Sequence, residues 1–324
     1  MDRLAVRLLF TFNFSMMHIF KNILIIALAL VLVDRIFTCI ITNFIFNKTI
    51  SGQSGGTINY VIQKKPNLDF LILGSSRAKN SFDPSLLSSL GAEGYNLGIN
   101  GSTALNSLLV LDILLKHGAI PKTIVFQTDL FEFGTTTEDE TIEQLKRVYP
   151  YDTELIRDYV YRAGITERIK YFFGSYRFNR KVLNIAFNYF KRNSTSTDNG
   201  YVGLPSTQIP LEENSQSEKY TYIPTSTDAE ALKKMQKLAA ENNIRFIVIF
   251  PPTYKNVGYH KKEQEKLVKD LKDNGITNIV DLSDTNLSPA LSAQKNWRDN
   301  FHLSEVGATR FSKEVNFLLP NVIK

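Results

Sequence analysis

A carboxylate and a histidine three residues apart, Asp299 and His302, stand in the run Trp297-Arg298-Asp299-Asn300-Phe301-His302-Leu303 near the end of the chain. At that spacing the carboxylate can reach back to one ring nitrogen and leave the other free to take a proton from a hydroxyl. The other three histidines have plainer readings. His18 sits beside an apolar run, His260 opens a Lys-rich segment, and His117 precedes Gly118 at a helix end, where a partly charged ring suits the dipole. His302 alone has an acid at fixed short spacing and a helix start, Ser304-Glu305, directly after it. Asp-x-x-His is a weak pattern until a nucleophile matches it. Asn67 to Leu73 reads as a buried strand, and Gly74-Ser75-Ser76-Arg77 follows at once. A small-residue turn between strand and helix exposes a serine at the carboxyl edge of an open α/β sheet, where such folds bind ligands. Taken alone, Gly-Ser-Ser is more often only a turn. With Asp299 and His302 it becomes a candidate acyl-transfer site.

These blocks resemble those of the SGNH/GDSL hydrolase superfamily, in its membrane-anchored Gly-Ser-Ser-Arg branch. The block that is usually Gly-Asp-Ser corresponds to Gly74-Ser75-Ser76, which implies Ser76 as nucleophile. The second block corresponds to Asn96-Leu97-Gly98-Ile99-Asn100-Gly101-Ser102, with Gly101 giving a backbone N–H to the oxyanion, and the last to Asp299 and His302. The third departs from the family: Phe126-Gln127-Thr128-Asp129-Leu130 stands where Gly-x-Asn-Asp is usual. Loss of one oxyanion donor typically costs roughly 10²–10³ in rate, so the missing asparagine matters. The resemblance covers about residues 67–130 and 228–318. It implies a flavodoxin-like strand order and a Ser-His-Asp ester hydrolase or O-acyltransferase without a metal or organic cofactor.

The elements that must position these residues are legible from alternation. After Ser76, Asp83-Pro84 starts a short helix ended by Gly91, and Tyr95 to Ile99 is a second strand. Ser102 or Thr103 caps a helix carrying Leu105, Leu108, Leu109 and Leu115, closed by Gly118. Ile124 to Thr128 is the third strand, with Asp129 at its carboxyl end. Thr227 with Glu230 reads as a capping box for the next helix. Ile244 to Phe250 is the fourth strand, ended by Pro251-Pro252-Thr253-Tyr254. A Lys-rich helix over Glu263 to Asn274, a fifth strand at Ile279 to Leu282 and a last helix through Phe311, Val315 and Leu318 complete the pattern. Such alternation with short links predicts an α/β fold with a three-layer parallel sheet.

Two segments lie outside it. Residues 1–46 read as a membrane anchor: Asn22 to Val33 is apolar, and extension through Ile41 reaches the ~20 residues a span requires. Asp34 and Arg35 would then sit at one boundary, and Lys21 can snorkel to the headgroups. Arg3, Arg7 and Lys21 place the N-terminus on the cytoplasmic side, and no clean small-x-small site predicts cleavage. A buried hairpin of a soluble domain is the alternative. Residues 47–66 contain Ser51-Gly52-Gln53-Ser54-Gly55-Gly56, a flexible linker by composition. The catalytic part is then 67–133 with 226–324. Residues 134–225 form an insertion, helical and aromatic as far as Arg192, turn-rich from Asn193 to Gly200, and placed over the site. Its tyrosines either stack on sugar rings or form the insertion's own core or a membrane face.

The composition narrows the partners. The 324 residues carry a formal charge of +6, dispersed and without an arginine stripe or metal-finger spacing, so nucleic-acid binding is not expected. A single cysteine, Cys39, excludes an intrachain disulfide and a cysteine-cluster metal site.

The expected mechanism has His302 take the Ser76 proton as the serine attacks an ester carbonyl, while Asp299 fixes the tautomer. Ser76 and Gly101 would supply N–H groups to the oxyanion, with Thr128 or Asn100 as a third donor. Tyr254 is a candidate pocket residue. Arg77 either contacts an anionic glycan or pairs with a carboxylate, and Asp129 either anchors the loop or meets substrate. By analogy alone, the substrate is an acylated extracytoplasmic glycan and the partner a multipass membrane acyltransferase. Water as acceptor gives an esterase; a sugar hydroxyl gives a transferase. The competing readings are a non-catalytic scaffold of the same fold, and a cytoplasmic hydrolase whose apolar head is an oligomerisation helix.

Overall fold

Five short apolar runs form the centre of the molecule: β1 (Phe70–Leu73), β2 (Gly94–Asn96), β3 (Thr123–Gln127), β4 (Arg245–Phe250) and β5 (Ile279–Asp281). In this computed structural model, which describes residues 3–87, 92–191, 199–207, 211, 220–257 and 259–318, all five pair in parallel in the order β2-β1-β3-β4-β5. Side chains alternate across a strand, and here the alternation separates two cores. Leu71, Leu73, Ile124, Phe126, Phe246 and Val248 pack on one face, with Phe126 and Phe246 stacked at 6.3 Å. Phe70, Ile72, Val125, Ile247 and Ile249 pack on the other. A sheet apolar on both faces needs helices on both.

The helices in chain order are α1 (Arg3–Ile40), α2 (Gly56–Lys64), α3 (Ser76–Ser81), α4 (Pro84–Leu87), α5 (Ala104–Lys116), α6 (Glu138–Val148), α7 (Glu154–Arg162), α8 (Ile165–Phe172), α9 (Gly174–Arg177), α10 (Val182–Lys191), α11 (Thr227–Glu241), α12 (Lys261–Asp273) and α13 (Glu305–Leu318). The first core takes α2, α5, α11 and α12, through residues such as Ile58, Leu108, Leu232 and Leu267. The second takes α3, α4 and α13, through Ala78, Leu87 and Phe311. The strands are shorter than the apolar runs, because Asn67–Asp69 and Leu97–Ile99 fall outside the ladder. The Gly91 helix end and residues 193–198 of the turn-rich stretch lie outside the described residues.

Two local expectations are corrected. The cap of α11 is Ser226, whose hydroxyl accepts the Ala229 N–H, not Thr227. Asp228 is drawn instead to the Leu105 N–H at 2.8 Å, tying α11 to the start of α5. A complete capping box does occur, between Thr137 and Glu140 at the start of α6. The largest departure is at Ser51–Gly56. Rather than a free linker, this stretch turns into α2, whose Ile58 and Val61 are core residues. Asn59 donates to the Phe46 and Thr49 carbonyls, and the Tyr151 hydroxyl donates to Gly55 O and Asn59 Oδ1. Composition missed this because the glycines serve tight turns: Gly55 has φ +103° directly before α2.

The N-terminal helix is long and apolar enough to cross a membrane, over Met16–Lys48. Where it meets the rest of the chain, Asp34 accepts the N–H groups of Gly174 and Ser175 at 2.9 and 2.8 Å. Arg35 donates to the Phe172 carbonyl at 2.8 Å and lies over the Phe172 ring. A Cβ at Gly174 would stand 1.8 Å from Thr38 Oγ1, so only glycine permits this approach.

Candidate active site

Ser76 is the first residue of α3, immediately past the carboxyl end of β1. Its N–H is among those a helix start leaves without an intrahelical carbonyl. The preceding turn needs Gly74, at φ +141°, where a Cβ would lie 2.6 Å from the Gln127 carbonyl oxygen. Ser75 is the cap, its hydroxyl accepting the Arg77 N–H at 3.2 Å. This leaves the Ser76 hydroxyl to face another element, the loop from Trp297 to Leu303.

That loop is closed at its neck by a bridge between Trp297 and Leu303, with Arg298 N–H bonded to the His302 carbonyl at 2.8 Å. Trp297 is wholly buried and donates its indole N–H to the Leu291 carbonyl at 2.7 Å. Within the loop, Asp299 Oδ1 accepts the N–H groups of Phe301 and His302, each at 2.8 Å. Both Asp299 oxygens lie 3.0 Å from His302 Nδ1. His302 Nε2 lies 2.7 Å from Ser76 Oγ. With the proton held on Nδ1, Nε2 is the acceptor for the serine hydroxyl. Burial raises the Asp299 pKa, but the His302 ring and the two backbone N–H groups outweigh it and leave it lowered to about 2. Asp299 is therefore a fixed anion at neutral pH.

The serine and histidine open into a cavity of about 520 Å³. Gly101 and the α5 N-terminus line it together with Glu140, Thr141 and Gln144 of α6, Gln144 donating to the Gly101 carbonyl at 3.1 Å. Phe131, Tyr220 and Phe301 make an aromatic side, with Phe131 to Tyr220 centroids 5.8 Å apart and Phe131 to Phe301 6.3 Å apart. Glu132 and Asp228 add carboxyls. Burial pushes Glu132 well above the usual carboxylate range, helped by the negative charges of Asp129 and Asp228; burial likewise raises Asp228.

The structure thus brings Ser76, Asp299, His302 and Gly101 together. Of the other named residues, Arg77 lines the cavity while Asn100, Thr128, Asp129 and Tyr254 do not. Thr128 is fully buried, its N–H bonded to the Ile249 carbonyl and its hydroxyl to Glu132 at 3.0 Å, so neither is available to an oxyanion. Asn100 is exposed, but its N–H is held by Gln53 Oε1 at 3.1 Å and its carbonyl accepts from Arg147 at 2.8 Å. Tyr254 is buried against Trp297, at a centroid distance of 5.8 Å, rather than lining the pocket. Arg77 and Asp129 form a buried ion pair with each other, and Arg77 also donates to the Pro252 carbonyl. Their role is to fasten α3 to the ends of β3 and β4. The aromatic residues singled out between 149 and 190 do not line the cavity; Tyr149, Tyr159 and Tyr171 join the main core on one face of the sheet, and Phe178 packs on Ile41 and Phe46 after α1.

Gln127 was missed. It occupies the divergent third block, and its Oε1 accepts from the Ser75 N–H, the Ser75 hydroxyl and the Ala78 N–H at 3.0–3.1 Å. Its Nε2 donates to Asp129 at 2.8 Å. A polar residue closing the apolar run Ile124-Val125-Phe126 is the signal that marks it. No family model matches this chain, and no curated protein matches it.

Proposed function

We propose that this chain is a membrane-anchored serine hydrolase or acyltransferase of the SGNH type, moving an O-acyl group on an extracytoplasmic glycan through an acyl-serine. The observation that carries the reading is the continuous hydrogen-bonded line from Ser76 Oγ through His302 to Asp299, open to the cavity. The 2-1-3-4-5 order of the parallel sheet supports a flavodoxin-like framework for that site. His302 takes the serine proton during attack and returns it to the leaving oxygen, while the N–H groups of Ser76 and Gly101 face the developing oxyanion. Aromatic faces and carboxyls around one cavity suit a ring bearing hydroxyls, which favours a glycan. In this reading α1 is the anchor, its N-terminus in the cytoplasm and the sheet outside.

The alternative is a catalytically weak scaffold that binds glycan or a membrane acyltransferase partner. One observation favours it: Thr128 is committed to Glu132, leaving two backbone donors for the oxyanion. The test is fluorophosphonate labelling and p-nitrophenyl acetate turnover of the full chain in detergent, for wild type and Ser76→Ala. Labelling and turnover that disappear in the variant support the enzyme. A wild type that neither labels nor turns over supports the scaffold.

A further inference from the structure

Helices α8 and α10 carry apolar residues on the faces that should be polar. In α8 the exposed stripe is Ile165, Ile169 and Phe172; in α10 it is Leu183, Phe187 and Phe190. Both follow the same four-then-three spacing, which places the three residues on one side of a helix. Leu183 is 85% exposed and Phe190 76%. The opposite faces are already used: Tyr171 of α8 packs into the main core, and Ile185 of α10 packs with Ile41, Phe46 and Phe178. A helix apolar on both sides is made for an apolar surrounding on both.

Both helices are held against the same part of the chain. Arg35 fastens the end of α8 to α1, Asp34 fastens α9, and α10 packs on the residues just after α1 through the Ile41 and Phe46 cluster. Beyond Asp34 the N-terminal segment itself continues to expose Ile36, Ile40 and Phe44. Charge follows the same plan. Residues 162–191 contain seven lysines and arginines and one acid, Glu167. Glu167 is buried, accepting from the hydroxyls of Tyr149 and Tyr176. Five of the cations, Arg162, Arg168, Lys170, Arg180 and Lys191, are exposed, so what faces outward is apolar and cationic.

We propose that α8 and α10 form an interfacial membrane-binding surface, lying in the bilayer boundary on either side of the point where α1 emerges. The occupant is the lipid surface itself, anionic headgroups with the outer part of the acyl chains. The combination of apolar stripe and basic flank is that of interfacial helices. It rests on the reading of α1 as a membrane span, and is independent of the chemistry at Ser76.

The test uses the full chain in vesicles of equimolar phosphatidylcholine and phosphatidylglycerol with brominated acyl chains. Phe187→Trp and Phe190→Trp are compared with Ile26→Trp in α1 and with Lys272→Trp on the exposed side of α12. The resident Trp297 is buried and its emission is subtracted using wild type. The expected result is about a twofold loss of emission at positions 187, 190 and 26 and none at 272, since interfacial helices immerse their apolar face by several ångströms. Quenching at 26 without quenching at 187 or 190 overturns the surface and leaves the anchor standing. No quenching at 26 removes the anchor and the surface with it. If 187 and 190 are quenched in lipid vesicles but shielded in native membranes, a membrane protein covers the face and the proposal is overturned.

Discussion

Gln127 Oε1 stands 3.1 Å from the Ser75 N–H and 3.0 Å from the Ser75 hydroxyl, so the end of β3 holds the turn that positions the Ser76 hydroxyl. One amide oxygen takes three donors there, and the same side chain reaches Asp129. Replacing it by the similarly sized Gln127→Leu leaves buried donors unpaired, each worth about 1–3 kcal/mol. The variant is expected to lose kcat on an activated ester by roughly 10²-fold, the scale of a misplaced reacting group, with KM little changed. A raised KM with kcat unchanged would instead assign Gln127 to ligand binding.

The buried pair of Arg77 and Asp129 gives a stability prediction. Burial pushes the Asp129 carboxyl up, and the Arg77 charge works against it. Asp129→Leu or Arg77→Met alone should lower unfolding stability by about 3–5 kcal/mol, because one charge is left buried without its partner. The double variant Arg77→Met/Asp129→Leu should recover part of that loss. Denaturant unfolding of the three variants measures it, and strict additivity would show that the two residues act separately.

Asp299 predicts a pH dependence. Its pKa is lowered to about 2 from an ordinary 3.8. A depressed carboxylate binds fewer protons folded than unfolded, so its contribution is present above the unfolded value and is lost as pH falls through the folded one. The stability gap between wild type and Asp299→Asn should accordingly be full near neutrality and close as pH falls from 3.8 to about 2. Activity should fall at neutral pH by about 10⁴-fold in Asp299→Asn, since the amide no longer selects the Nδ1–H tautomer.

Glu132 titrates with the opposite sign. Burial raises its pKa well above the usual range, and Asp129 and Asp228 add to the shift. A raised carboxyl opposes folding once the pH exceeds its unfolded value, and that cost grows until the folded group ionises. Glu132→Gln, which mimics the protonated form, should be more stable than wild type at pH 8 and closer to it at pH 4. A gap independent of pH would show that Glu132 is not protonated in the fold.

Much of this architecture is written in local pattern. The runs at Phe70–Leu73 and Arg245–Phe250 are long enough in apolar residues to identify themselves, and Gly118 and Gly275 end their helices at positive φ, +74° and +85°. The meeting of Ser76 with Asp299 and His302 was legible because short spacing and a turn restrict what those residues can do. Long-range commitments were not. Nothing adjacent to Tyr254 announces that Trp297 covers it, and nothing near Thr128 announces the bond to Glu132. The same holds for Ser51–Gly56. Glycine and serine read as freedom in composition, yet they serve close turns when Asn59 and Tyr151 are placed to hold them.

That folded stretch has a mechanical consequence. A loose tether lets a domain sweep a hemisphere of space, whereas here Gln53 within the stretch is bonded to the Asn100 N–H beside the cavity, and Asp34 of α1 is bonded to the start of α9. With α1 as the anchor, the distance of Ser76 from the bilayer is set by rigid contacts and not by linker length. Under the proposed function such a site would work as a height gauge. It would meet only those ester groups carried at its own level above the lipid, and removing the Asp34 contacts to Gly174 and Ser175 would loosen that selection.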